Sequence, residues 1–182
     1  DPGSNHPKYV LPFLKAIAAE LKLSHPAAGM WVSLQGFSDE EVNYFYEYLE
    51  KYQPNWLAGV VTGPSSPDLA STRFRLPKQY KHRHYPDITH TVRCQYPTEN
   101  WDQAFALTEG REVSNPQPMY YAKIHQRFAH LTDGSIAYSD GVHDDVNKVV
   151  WSQKSVGPSK EVREVLVDYA RFFFGQQVSE KV

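Results

Sequence analysis

From Val10 onward, apolar residues recur at helical spacing: Val10, Leu14, Ile17, Ala18 and Leu21, with the run continuing through Leu23. That period predicts an amphipathic helix. His6-Pro7 opens it, with proline in the first turn where its missing N–H has no partner to lose. Pro12, a turn further on, is the weak point of the helix. Met30-Trp31-Val32-Ser33-Leu34, entered through Gly29 and left through Gly36, predicts a short strand. Ser38-Asp39-Glu40-Glu41 has the form of a capping box with an acidic first turn. The helix it opens carries Val42, Phe45, Tyr46, Leu49 and Tyr52 on one stripe and stops at Pro54.

Trp56 to Val61 reads as the next strand, and Thr62-Gly63-Pro64 turns out of it. A looser helix follows over Asp68 to Leu76, then an extended segment within Lys81 to Val92. The stretch from Cys94 to Asn115 reads as an irregular loop, long enough to be a functional candidate. Pro118 to Leu131 is helical by its Tyr121, Ile124, Phe128 and Leu131. Asp133-Gly134 leads into a strand at Ser135-Ile136-Ala137-Tyr138, and helices over Val142 to Ser152 and Ser159 to Phe174 complete the pattern. Strands alternating with helices predict an α/β fold with a parallel sheet, here a single domain over residues 1–182. No repeat at a fixed period is present. Four short strands cannot close a barrel, which takes eight strands and about 250 residues. The pattern therefore fits a small open sheet or half of a (β/α)8 (TIM) barrel. The opening Asp1-Pro2-Gly3 reads as a loop already in progress, which favours a fragment covering the C-terminal part of such a barrel.

Composition narrows the function classes. Lys plus Arg total 19 and Asp plus Glu 21, a formal charge of −2 with His neutral. This balance argues against nucleic acid or an anionic membrane as partner. Apolar residues at 41% and charged residues at 22% are those of a globular chain, and 182 residues can bury a sizeable core. No apolar run approaches the roughly 20 residues of a membrane helix. The single Cys94 excludes an internal disulfide and a multi-cysteine zinc site, and says little about compartment. Aromatics reach 14%, with 12 Tyr and 4 Trp; rings with polar tips suit sugar or peptide surfaces and also fill cores.

In a parallel α/β architecture the ligand side is the carboxyl end of the strands. The residues to weigh there are Ser33 and Gln35, Thr62, Asp87-Ile88-Thr89-His90, and Tyr138-Ser139-Asp140. The run from Tyr138 to Lys148 places Asp140, Asp144 and Asp145 at a strand-to-helix junction. Asp144 and Asp145 have an ordinary role as acids complementing a helix N-terminus, whereas Asp140 precedes Gly141 at the strand's end. Asp87 and His90 are three residues apart and on extended chain would face opposite ways, so they pair only if a turn intervenes. In the long loop, Arg111 could fork onto a carboxylate, while Tyr96, Trp101 and Tyr120 could stack on a sugar ring. His82, His84 and His90 suggest a metal site, but Lys81 and Arg83 crowd the first two with positive charge. Glycine-rich phosphate loops and nucleophile elbows are absent from the sequence.

Taken together, several motifs resemble the C-terminal half of bacterial glycoside hydrolase-like (β/α)8 barrels. They are Trp31-Val-Ser-Leu-Gln-Gly-Phe37, Tyr85-Pro-Asp-Ile-Thr-His90, Gly110-Arg-Glu112 with Asn115-Pro116, and Tyr138-Ser-Asp-Gly-Val-His-Asp-Asp-Val-Asn-Lys148. Where the resembled proteins read Tyr-Ser-Glu-Gly at the last strand, this chain has the shorter carboxylate of Asp140. The resemblance implies cleavage of a glycosidic bond in a poly- or oligosaccharide by two carboxyl groups, without a cofactor. Asp140 and Asp87 would be the catalytic pair, with Asp144 or Asp145 as substitutes. Gln35, His90, Tyr96, Trp101, Arg111 and Tyr138 would orient substrate. It also implies a missing N-terminal half and leans toward a periplasmic or secreted setting. The rival readings are a metal-dependent hydrolase using the histidines and a non-catalytic carbohydrate-binding domain.

Overall fold

The computed structural model describes residues 5–92, 94–99, 102–108, 114–138 and 145–182, without the side chains of Phe105 and Ala106. The chain forms two compact units: Asp1–Tyr85 with Leu131–Gly134, and Pro86–His130 with Ser135–Val182.

The first unit alternates helix and strand: α1 (Pro7–Ser24), β1 (Met30–Ser33), α2 (Asp39–Tyr52), β2 (Leu57–Thr62), α3 (Leu69–Arg75) and β3 (Lys81–His84). The strands form a parallel sheet in the order β1-β2-β3. Capping explains several boundaries. Ser38 Oγ accepts from the Glu41 amide at 3.3 Å while Glu41 returns the bond to the Ser38 amide at 2.8 Å. Asp68 caps α3 by accepting from the Ser71 amide at 2.9 Å, and the Ser71 hydroxyl together with this amide holds its carboxyl below the usual range. α2 ends as Gln53 turns left-handed (φ 42°) just ahead of Pro54. Pro12 sits inside α1 and is tolerated there.

The core of this unit gathers Leu11 and Ala18 from α1, Val42, Phe45, Tyr46 and Leu49 from α2, and Val32, Leu34, Leu57 and Val60 around the strands. Tyr52, expected on the buried stripe of α2, is instead 58% exposed. It closes the last turn, beyond the reach of the sheet. Gly59 is required by close packing: a Cβ there would meet the Lys81 carbonyl of β3 and lie 2.6 Å from the Trp31 ring of β1. Arg83 covers that indole, its guanidinium carbon 3.9 Å from the ring centre.

The second unit is mainly helical, with α4 (Gln103–Thr108), α5 (Pro118–Phe128) followed by a 3-10 turn at Ala129–Leu131, α6 (Asp145–Val156), α7 (Val162–Phe174) and α8 (Gln176–Ser179). Two elements correct the sequence expectations. The segment from Cys94 to Asn115 contains α4 rather than being wholly irregular. The strand expected at Ser135–Tyr138 forms no ladder: isolated bridge positions stand at Ser135 and Tyr138, the latter pairing parallel with Asp87. Four residues with Ile136 48% exposed offer too little burial to sustain a ladder. The extended segment expected within Lys81 to Val92 is β3, Lys81–His84, and the chain turns further on at Asp87. Ile88, Tyr121 and Trp151 form one buried cluster of this unit, and Ala122, Val150, Val162 and Val165 another.

Leu49 is fully buried and Tyr52 is not, although both lie on the predicted stripe of α2. Leu49→Ala is expected to lower unfolding free energy by about 3 kcal/mol and Tyr52→Ala by less than about 1 kcal/mol, read from urea midpoints. Equal losses would contradict this packing.

Candidate functional site

In the first unit the carboxyl ends of the strands are tied together by polar side chains. Ser33 Oγ accepts from the Gln35 amide at 3.2 Å, and Tyr85, just past β3, donates its hydroxyl to Gln35 Oε1 at 2.9 Å. β2 lies between β1 and β3, so that bond passes over its end. Gly63 makes room for it, because a Cβ there would collide with the Tyr85 ring and carbonyl. With its oxygen engaged by Tyr85, the Gln35 amide has its N–H₂ to offer a ligand.

The histidines of β3 serve structure. His82 is fully buried; its Nε2 lies 2.7 Å from Thr62 Oγ1 and its Nδ1 3.2 Å from the Leu131 carbonyl. A carbonyl can only accept, so Nδ1 carries the proton and the lone pair on Nε2 is taken by the threonine hydroxyl. Burial pushes the ring down to about 4 and so keeps it neutral. His84 is buried beside it, its amide bonded to the Gly134 carbonyl at 3.0 Å. Among the described residues no group of three or more His, Cys, Asp or Glu is placed to hold a metal ion.

The second unit contains the densest polar cluster. The chain turns immediately after Asp87, and this turn brings the imidazole of His90 back onto the carboxylate: Nδ1 lies 2.8 Å from both Oδ1 and Oδ2. Oδ1 also receives the amides of Thr89 at 3.4 Å and His90 at 3.3 Å, and the Asp87 amide donates to Gln95 Oε1 at 3.0 Å. The Asp87 side chain is 0% exposed and that of His90 5%. Two buried asparagines hold the loop from its other side. Asn115 Nδ2 donates to the carbonyls of Thr89 and His90, each at 3.3 Å, and to the Tyr121 hydroxyl at 3.0 Å. Asn147 Nδ2 donates to the carbonyls of Ile88 at 3.0 Å and Asn115 at 2.6 Å, while its Oδ1 accepts from the Gln117 amide at 2.8 Å. Burial raises the Tyr121 phenol, which stays neutral beneath the loop.

The other expected site residues fall in different places. Asp145 opens α6 and accepts from the Tyr169 hydroxyl at 2.9 Å; burial and this carboxylate push that phenol up to about 12. Tyr96 is half-buried, stacks on Phe128 with ring centres 6.0 Å apart, and has its phenol raised by burial. Tyr138, 38% exposed, has its ring centre 6.5 Å from that of His90. Asp140, Asp144, Trp101 and Arg111 lie outside the described residues. Asn115, Asn147 and Tyr121 were not singled out from the sequence as a support for the loop. One signal was available: asparagine is a poor residue for the first turns of a helix unless its amide has a partner elsewhere, and Asn147 stands there.

Comparison with models of known protein families, with curated proteins and with solved structures finds no match to this chain.

The buried neutral His82 sets the sign of a pH effect. Its folded value of about 4 lies below the ordinary 6.5, so the unfolded chain binds the proton more readily between them. Its contribution to stability is complete above that ordinary value and is lost as pH falls through the window, by about 3 kcal/mol in all. His125, also lowered by burial, adds a loss of the same sign. Asp133 is held low chiefly by the His82 amide, so its loss comes at more acid pH. Urea midpoints measured across the window should fall less steeply in His82→Gln than in the parent. Identical slopes would contradict the assignment.

Proposed function

We propose that the chain is the C-terminal half of a (β/α)8 barrel from a glycoside hydrolase-like protein that cleaves a glycosidic bond in a poly- or oligosaccharide. The observation that carries this reading is the winding of the sheet: three parallel strands added in chain order, β1-β2-β3, with a helix in each crossover. A barrel grows by this rule, whereas a doubly wound sheet reverses its order at the ligand crevice. Among the described residues β1 pairs on one edge only, and α1 turns Tyr9, Phe13 and Ile17 to solvent. A preceding β/α unit would cover both surfaces.

The polar residues that follow the strands supply the chemistry. Glycoside hydrolysis needs one carboxyl group to protonate the leaving oxygen and another to act as nucleophile or to activate water. Asp87, fully buried with both oxygens on His90, is suited to orienting that imidazole rather than to meeting a sugar. Asp145 is engaged by Tyr169. Asp140 is therefore the leading catalytic carboxylate, with Asp144 as substitute; the missing half would supply further strands and, where needed, the second acid. Gln35, with its amide oriented by Tyr85, fits a contact to a sugar hydroxyl.

The test uses the protein at its natural length on a panel of oligosaccharides. Asp140→Asn should lower kcat roughly 10³-fold with the melting temperature unchanged, and EDTA should leave the parent's turnover intact. Unchanged turnover in the variant would remove Asp140 from the mechanism. Glycan binding without turnover would transfer the reading to a carbohydrate-binding domain, and loss in EDTA restored by zinc or manganese to a metal-dependent hydrolase.

A further inference from the structure

We propose that the open face of the sheet in the first unit binds a carboxylate at Arg83, and that the oligosaccharide received there is acidic, carrying a uronic acid residue. The proposal deepens the glycoside reading: it rests on that reading for the sugar but not for the charge.

Strand alternation gives the sheet two unlike faces. In register, Val32, Val60 and His82 share one face and all three are buried, the two valines against side chains of α1 and α2. The other face carries two rows: Trp31, Gly59 and Lys81, then Ser33, Val61 and Arg83. Trp31, Ser33, Val61 and Arg83 are each half-buried, so this face is open. With helices on the first face, the second is the one that a barrel turns inward, and Arg83, next to last in β3, stands near its carboxyl end.

The Trp31 indole reaches across β2 because Gly59 has no side chain, and the Arg83 guanidinium covers it, its carbon 3.9 Å from the ring centre. That contact holds the cation in place without giving its five N–H donors an acceptor. Other arginines of the unit are tied down: Arg73 to Asp133 at 3.2 Å and Arg75 to Asn43 Oδ1 at 2.8 Å. Lys81, on the same face, pairs with Asp133 at 3.7 Å. Among the described residues Arg83 has neither a hydrogen bond nor an ion pair.

Two residues at the end of β1 add donors beside it. Gln35 has its oxygen on the Tyr85 hydroxyl and offers Nε2; Ser33, whose oxygen accepts the Gln35 amide, keeps its own hydrogen to give. One fixed positive charge among neutral donors selects a ligand with one negative charge among neutral oxygens. A uronic acid residue has that distribution. A phosphate monoester, at about −1.5 to −2 charge, exceeds the single cation, and an acidic peptide repeats its charge. Because Trp31 already places the guanidinium, little side-chain freedom is lost on binding.

The test titrates the protein at its natural length with sodium glucuronate and galacturonate, their neutral methyl esters, acetate and a tetraglutamate peptide. Nitrogen-15 correlation spectra follow the Arg83 Nε–H. The uronates should move that resonance to saturation and bind at least about tenfold more tightly than the esters, acetate or the peptide. Arg83→Gln should weaken the uronates roughly 10- to 100-fold while leaving the esters within about twofold. Arg83→Lys keeps the charge but not the fork, and should weaken them roughly fivefold. On a uronate-bearing glycan that the parent cleaves, Arg83→Gln should raise KM about tenfold.

Equal affinity for uronates and esters, or an Arg83 Nε–H that stays still as uronate saturates, would overturn the site even if both variants fail to fold. Acetate bound as tightly as the uronates would reduce it to a bare anion site, and tighter binding of tetraglutamate would give it to an acidic peptide; either result defeats the proposal. Uronate binding at Arg83 with no cleavage of any glycan would sink the hydrolase reading and leave the site standing. Cleavage confined to neutral glycans, with no uronate bound at Arg83, would do the reverse.

Discussion

A carboxylate with no access to water must be matched at each of its oxygens, and the second unit is arranged around meeting that condition at Asp87. Left alone in such surroundings the charge would cost several kcal/mol. Here His90 contributes a ring N–H to both oxygens, and two backbone amides converge on Oδ1. The cluster cannot be dismantled piecemeal, because withdrawing one member strands another in a low-dielectric interior. Asn115 and Asn147 extend the same logic outward, each using its amide to satisfy main-chain carbonyls of the turn, and Asn147 that of Asn115 as well.

The first unit solves a different problem at the ends of its strands. Its core is apolar, and polar side chains pair toward the carboxyl ends of the strands: Thr62 against His82, Gln35 against Tyr85. Small residues make this possible. Gly59 lets Trp31 lie across the sheet, and Gly63 lets Tyr85 reach Gln35. A methyl group at either position would push apart what the strand order brings together, so these glycines position side chains as much as they shape backbone.

Local signals in the sequence carried the first unit well. Ser38 and Glu41 announce a capping box, Asp68 a cap, and the stripe on α2 a buried face through Leu49. What the sequence could not reveal was non-local. Ser135 to Tyr138 has the composition of a strand, but pairing depends on a partner long enough to form a ladder, and Asp87 offers one bridge. Asp87 and His90 stand on extended chain when only their spacing is considered. The turn that joins them is held by Asn115 and Asn147, remote in sequence and silent until the chain folds. The metal reading of His82 stayed open as a rival because residue type is visible in a sequence and the occupation of its ring nitrogens is not.

The central claim is that Asp87 and His90 act as one unit, and a double-mutant cycle measures this directly. Unfolding free energies of the parent, Asp87→Asn, His90→Gln and the double variant should give a coupling of about 2 kcal/mol, as for residues sharing one buried network. Effects that add to within about 0.5 kcal/mol would mean that the carboxylate and the imidazole are independent, and the account built on their union would fail.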